Sequence, residues 1–288
     1  MWLSFAIVSG LVFGIRRIYD KKLTGQYGNY SLSFVQQVFS LVPTLILFLF
    51  FPIPRDIVHL SWQFWWPLLV IWFGLYPIQN YYLFKAIREG DLSHVTPVLA
   101  LVPVFNAATS FFIIGEHVSI LGLSGIFAIV FATFLLLIDT HKDSDSRYNK
   151  PVFFMLISCI CMAIGSTMDK IAIEASTPVF YSFVNLLGAS IIFFVLAYLY
   201  GQAGELRQIK QPKMFGLLVF LGILQALAFV SGMAAFAYGP TSYSLAIRSG
   251  SYIVVALWGL FLLNERLSNK KISALVLFLG GTIALAMS

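Results

Sequence analysis

Residues 90–116 read GDLSHVTPVLALVPVFNAATSFFIIGE, and residues 239–265 read GPTSYSLAIRSGSYIVVALWGLFLLNE. Each opens on glycine, runs through apolar sequence and closes on glutamate. The second stands 149 positions after the first. The same shift lays Asp20-Lys21 on Asp169-Lys170, Ser33-Phe34-Val35 on Ser182-Phe183-Val184, and Thr133 on Thr282. A long fixed period kept without gaps marks an internal structural repeat. The chain therefore divides into homologous halves, residues 1–140 and 151–288, joined by a charged, Ser/Asp-rich linker at 141–150.

The solvent of this chain follows from its composition. It is 59% hydrophobic and 10% charged over 288 residues, with a mean hydropathy of +0.89; soluble domains carry about 25% charged residues. A bilayer accommodates that much apolar surface, and a soluble core does not. The net charge of +6 resides mainly on lysines and arginines between apolar runs, a pattern of membrane-protein loops rather than of nucleic-acid binding. Cys159 and Cys161, two residues apart in an apolar run, match no zinc or redox spacing and read as core. The N-terminal run lacks a basic n-region and a small-x-small cleavage site, so it reads as a retained span rather than a signal peptide.

Crossing the hydrocarbon takes about 20 mostly apolar residues per helix. This predicts spans near 2–19, 31–51, 64–84, 93–115 and 119–138 in the first half, and 152–172, 179–200, 214–236, 241–263 and 270–287 in the second. Five is odd, so the second half enters the membrane inverted relative to the first. The expected fold is all-α and integral to the membrane, with ten transmembrane helices in two five-helix inverted-topology repeats. Such repeats build many secondary transporters, which bind substrate near the midplane between the halves. A duplicated scaffold without transport is the plain alternative. The odd-numbered loops gather Lys21, Lys22, Lys85, Arg88, Lys142 and Arg207 among others, whereas the even-numbered ones hold little beyond Arg55 and Lys170. The positive-inside rule then places both termini outside.

From residue 86 to 126 the chain fits A-x-x-x-G-D-L-S-x-V-x-P-x-x-A-L-x-P-V-F…G-E-x-x-S-x-x-G-x-x-G-I. This pattern, with Ala246-Ile247-Arg248, Asn264-Glu265-Arg266 and the Asp-Lys pairs closing spans one and six, resembles the EamA-type transporters of the drug/metabolite transporter superfamily. The resemblance covers essentially the whole chain. It implies ten helices around a cavity lined by spans one, three, four, six, eight and nine. It also implies transport, often export, of small organic metabolites such as amino acids, across the bacterial cytoplasmic membrane. It implies cytoplasmic termini too, opposite to the charge bias. No cofactor is expected; the expected partners are a small solute, membrane lipids and protons as a candidate coupling ion, with the chain a monomer or weak homodimer.

Ionisable side chains inside spans are costly and usually have a partner or a function. Arg248 lies about two turns into span nine, with Ser244 at i−4 and Tyr252 at i+4 on one face. It reads as a carboxylate binder or as a guanidinium snorkelling to the interface. Asp169, ending span six, is its expected interhelical partner, because Asp20 in the first half has Arg16 and Arg17 within its own helix. Trp72, Tyr76, Gln79 and Asn80 form a polar-aromatic face on span three; Ser158, Met162, Gly165 and Asp169 form another on span six. Asn106 on span four and Gln225 on span eight, like the span-three face, suit either substrate contact or interhelical hydrogen bonding. Pro97 and Pro103 predict a bent span four, and their absence from span nine predicts a straighter one. Glu116 and Glu265 read as interfacial groups fixing helix ends.

His59, His94, His117 and His141 are scattered without metal or nucleophile spacing, and no G-x-S-x-G, H-E-x-x-H or P-loop occurs. An enzyme and a channel are therefore weaker readings than a carrier. One arginine amid aromatic and amide side chains suits a zwitterion or organic anion better than a lipophilic cation.

Overall fold

A computed structural model describes residues 1–23, 27–50, 60–90, 96–138, 149–251 and 269–288. Among these residues every regular element is helical. In chain order they are α1 (Trp2–Leu23), α2 (Asn29–Leu47), α3 (Trp62–Val70, a π turn Ile71–Leu75 and Tyr76–Glu89) and α4 (a 3₁₀ turn Thr96–Leu101 and Val102–Ile114). There follow α5 (Ile120–Ile138), α6 (Asn149–Glu174), α7 (Pro178–Leu199), a 3₁₀ segment (Ala203–Lys210), α8 (Pro212–Tyr238), α9 (Thr241–Arg248) and α10 (Asn269–Met287). Each of α1 to α10 overlaps one span expected from the sequence, α9 only at the start of span nine, of which residues 252–263 lie outside the described residues. Asn29–Leu47, Lys150–Glu174, Pro178–Leu199 and Pro212–Tyr238 are long and apolar enough to cross a membrane by themselves, and four shorter apolar helices accompany them. In hydrocarbon a helix satisfies its own backbone, which is why such sequences take this form.

The outward faces are apolar. Leu187, Ile191, Phe194 and Tyr198 recur at i, i+4, i+7 and i+11 along α7, all exposed, and Phe127, Phe131 and Phe134 do the same on α5. Between helices the contacts are small: Ala226, Ala228, Gly232, Ala234 and Ala235 are all buried on α8. Small residues let backbones approach where the hydrophobic effect gives no drive.

The 149-residue register seen in the sequence recurs in the packing. α1 packs on α8 as α6 packs on α3, and α4 on α6 as α9 on α1. Ser9 Oγ donates to the Ala228 carbonyl at 2.7 Å. Its counterpart Ser158 Oγ donates to Gln79, the counterpart of Ala228, at 3.2 Å. Likewise Cys159 Sγ donates to Val98 O at 3.3 Å, while the equivalent Gly10 would bring a Cβ within 3.3 Å of Ile247 O.

Three local features depart from regular spans. The π turn of α3 ends at Tyr76-Pro77. Proline has no N–H for the carbonyl four residues back, and its ring crowds that carbonyl, so the preceding turn widens. The expected bend of α4 takes the form of the 3₁₀ lead-in, with Pro103 in the first turn of the α-helical part, where a missing N–H costs nothing. α9 gives way to a two-residue turn immediately after Arg248, with Gly250 N bonded to Ile247 O at 2.9 Å; residues 252–263, on which the expected straighter course of span nine depends, lie outside the described residues. Ser249 Oγ turns back onto Ala246 O at 2.5 Å, and serine and glycine together favour this interruption without any proline.

Candidate functional site

A cavity of about 190 Å³ lies between the halves. The first half contributes Phe13 from α1, Tyr76 and Gln79 from α3, and Leu99, Val102 and Pro103 from α4. The second contributes Met162, Gly165, Ser166 and Asp169 from α6, Leu245 and Arg248 from α9, and Ser249 and Ser251 from the turn beyond. Three of these pairs, Phe13 with Met162, Leu99 with Arg248 and Val102 with Ser251, are 149 positions apart. The same structural positions of both halves thus face one space, and at one of them leucine is exchanged for arginine. Two larger grooves, of about 660 and 350 Å³, have almost wholly apolar walls and so offer no convergent polar groups.

Arg248 is placed by what is missing around it. A Cβ at Gly10 would stand 3.2 Å from the Arg248 Cα, tighter than an ordinary contact, so glycine at residue 10 suits the close approach of α1 to this turn. A Cβ at Gly232 would stand 3.0 Å from Ser9 Oγ and at ordinary contact distance, 3.7 Å, from Nη1, so the glycine of α8 serves the close approach of α1. The guanidinium carbon lies 4.2 Å from the centroid of the Phe13 ring, within cation–π range. Asp169, opposite on α6, accepts a hydrogen bond from the Tyr181 hydroxyl of α7. Tyr181 in turn accepts from Asn185 Nδ2 at 2.9 Å, and the same amide donates to the Tyr76 hydroxyl at 3.1 Å. Trp72 Nε1 donates to Asn185 Oδ1 at 3.0 Å. One amide on α7 therefore connects the cavity carboxylate to the polar-aromatic face of α3.

The expected site residues separate into two groups. Tyr76, Gln79, Asp169 and Arg248 come together on the cavity wall. Trp72 serves the network behind it. Asn80 turns to α2, accepting from Ser33 Oγ at 3.1 Å, and Asn106 is fully buried against α6, donating to Ala163 O at 2.9 Å and Thr167 Oγ1 at 3.1 Å. Gln225 accepts from Arg16 Nη1, and Ser244 is buried away from the cavity lining. Asn80, Asn106 and Gln225 thus bond from helix to helix. Tyr252, and with it the rest of span nine, lies outside the described residues.

Sequence reasoning missed Phe13, Tyr181 and Asn185 as members of the site, and did not foresee the contact of Arg16 with Gln225. Arg16 is buried and reaches across to α8; local i, i+4 rules cannot see a partner 209 positions away. Asn185 carried a usable signal, since it is a lone amide in the apolar run of α7 and the repeat counterpart of Gln36. At one membrane surface Tyr27 is buried beside Glu205, and burial first, then that carboxylate, raise its hydroxyl pKa above the ordinary tyrosine value.

A helical, lipid-compatible bundle whose two halves enclose a small polar cavity is the build of a membrane transporter. Comparison with known families makes this specific: the model of the EamA-like transporter family matches residues 1–138 and 149–287. The chain belongs to that family, within the drug/metabolite transporter superfamily, and is an integral membrane transporter rather than an enzyme. Its fold is similar to that of a protein of known crystal structure, with a TM-score of 0.79 over 99% of this chain and 97% of that one, at 14% identity. At that identity the likeness is one of fold alone. None of the curated proteins compared matches this chain.

Proposed function

We propose that this chain is a secondary transporter of ten spans, arranged as two inverted five-helix repeats (residues 1–140 and 151–288), that exports small organic metabolites by alternating access. It would sit in the bacterial cytoplasmic membrane, with amino acids or organic anions as its solutes. The observation that carries this reading is that Arg248 of α9 and Asp169 of α6 line the same small cavity between the halves. The break in α9 at Arg248 supports it, since transporter sites are typically built on interrupted helices. The guanidinium presents a planar fork of donors suited to a carboxylate. Asp169 answers an ammonium group or a proton, and forms an ion pair with Arg248 that solute or proton releases. Tyr76 and Gln79 supply hydrogen-bonding groups that orient what is bound.

A second reading has one observation in its favour. A carboxylate beside the rings of Phe13 and Tyr76 also suits a lipophilic cation, for which aromatic faces and one negative charge are enough. A thermal-shift screen of purified protein separates the two. At a hundred times its Kd, a ligand stabilises by about 2.7 kcal/mol, or roughly 5–10 °C for a chain of this size. We expect stabilisation by amino acids or organic anions; stabilisation by cationic dyes alone would overturn the first reading.

A further inference from the structure

α4 ends at Gly115, whose φ of 68° lies in the left-handed region and turns the chain so that Glu116 of the first half reaches the second. There its carboxylate accepts from Lys170 Nζ at 2.7 Å and from the Thr241 hydroxyl at 2.8 Å. It also accepts from the Thr241 amide, at 3.3 and 3.2 Å to its two oxygens. Lys170 Nζ donates further to Gly239 O at 3.1 Å. Thr241 is the first residue of α9, so the carboxylate caps a helix N-terminus as well as pairing with a cation. One side chain thus ties together the ends of α4, α6 and α9, which furnish most of the cavity wall.

Position adds to this. Lys170 directly follows Asp169 on α6, so consecutive residues point to the cavity and to the tie. The Lys170 and Glu116 side chains are only 14% and 10% exposed, which sets the pair apart from surface ion pairs of negligible worth. A second cross-half contact lies alongside, where the Tyr243 hydroxyl accepts from the Ser119 amide at 3.2 Å.

We propose that Glu116 and Lys170 form a latch on this membrane face. It holds α4, α6 and α9 together where the cavity is closed, and it breaks when the cavity opens to this side. Asp169 links the state of the cavity to the latch through the shared turn of α6. The inference rests on the alternating-access reading, but its test needs no solute. In a Cys159→Ala/Cys161→Ala background, Ser166→Cys places a thiol on the cavity wall, and a charged, membrane-impermeant methanethiosulfonate is added to one side of oriented vesicles. Lys170→Met leaves Glu116 on Thr241 and removes both contacts of the ammonium group, the ion pair and the hydrogen bond to Gly239 O. Labelling from the side that bears Trp62 is then expected to rise about tenfold, the population shift given by about 1.4 kcal/mol, and Lys170→Arg should return it to the slow rate. An unchanged labelling rate in folded Lys170→Met protein overturns the latch. Should that variant fail to fold, Glu116→Gln, which keeps the shape and the Thr241 bonds, gives the same comparison. A transporter without a solute in the flux assay would sink the substrate reading and leave this result standing.

Discussion

Arg248→Gln protein, reconstituted into liposomes, is expected to lose saturable flux of the solute that stabilises the wild type. Of the three repeat pairs that face the cavity, that of Arg248 is the one in which a charge replaces an apolar side chain, since its counterpart Leu99 faces the same space without charge. Glutamine keeps a donor and about the same length but loses the charge. A hydrogen bond to a charged group contributes about 2–3 kcal/mol, so apparent affinity should fall roughly 30- to 150-fold. Arg248→Lys should recover part of it, because charge returns without the planar fork or the stacking on Phe13. If Arg248→Gln leaves the concentration dependence unchanged, the guanidinium only packs against Phe13 and the proposed solute contact is wrong.

Gly222→Ala should produce the largest loss of stability among single-methyl changes. A Cβ at residue 222 would stand 2.2 Å from the carbonyl oxygen of Phe39 and 2.6 Å from its carbonyl carbon. These are backbone atoms of α2, so no side-chain rotation relieves the clash; α2 and α8 must separate, along a contact that joins the two halves. Overpacking of this kind costs about 3 kcal/mol, or roughly 6–12 °C in Tm. Gly216→Ala on the same helix is the control, because nothing stands within 4 Å of its Cβ. That variant should match the wild type or exceed it slightly, given alanine's better helix propensity. Equal Tm values for the two variants would mean that α2 and α8 do not pack as described.

How far the sequence revealed this protein depends on the range of the interaction. Hydropathy located the helices of the described residues because burial in lipid is decided by each segment's own composition. The 149-residue register was legible for the same reason, and it reappears in space as the paired Ser9–Ala228 and Ser158–Gln79 hydrogen bonds. Arg248 and Asp169 stood out as charges in apolar runs, and Tyr76 and Gln79 as polar residues on one helical face. The remainder turned on distant partners. Nothing local distinguishes Gln79, which faces the cavity, from Asn80, which turns to Ser33. Asn106 and Gln225 hydrogen-bond to neighbouring helices, one of the two roles that the sequence offered equally. The interruption after Arg248 was hidden because serine and glycine also occur within continuous membrane helices, whereas a proline would have announced it.

The central claim is that the two halves face opposite ways across the membrane around one cavity. Trp62 at the start of α3 and Gln211 just before α8 are repeat counterparts, 149 positions apart, and both are exposed. In a background without Cys159 and Cys161, single cysteines at these two positions can be probed with an impermeant maleimide on sealed, oriented vesicles. Inverted halves require that Trp62→Cys and Gln211→Cys label from opposite sides. Labelling of both from the same side would contradict the inverted repeat, and with it the alternating-access account.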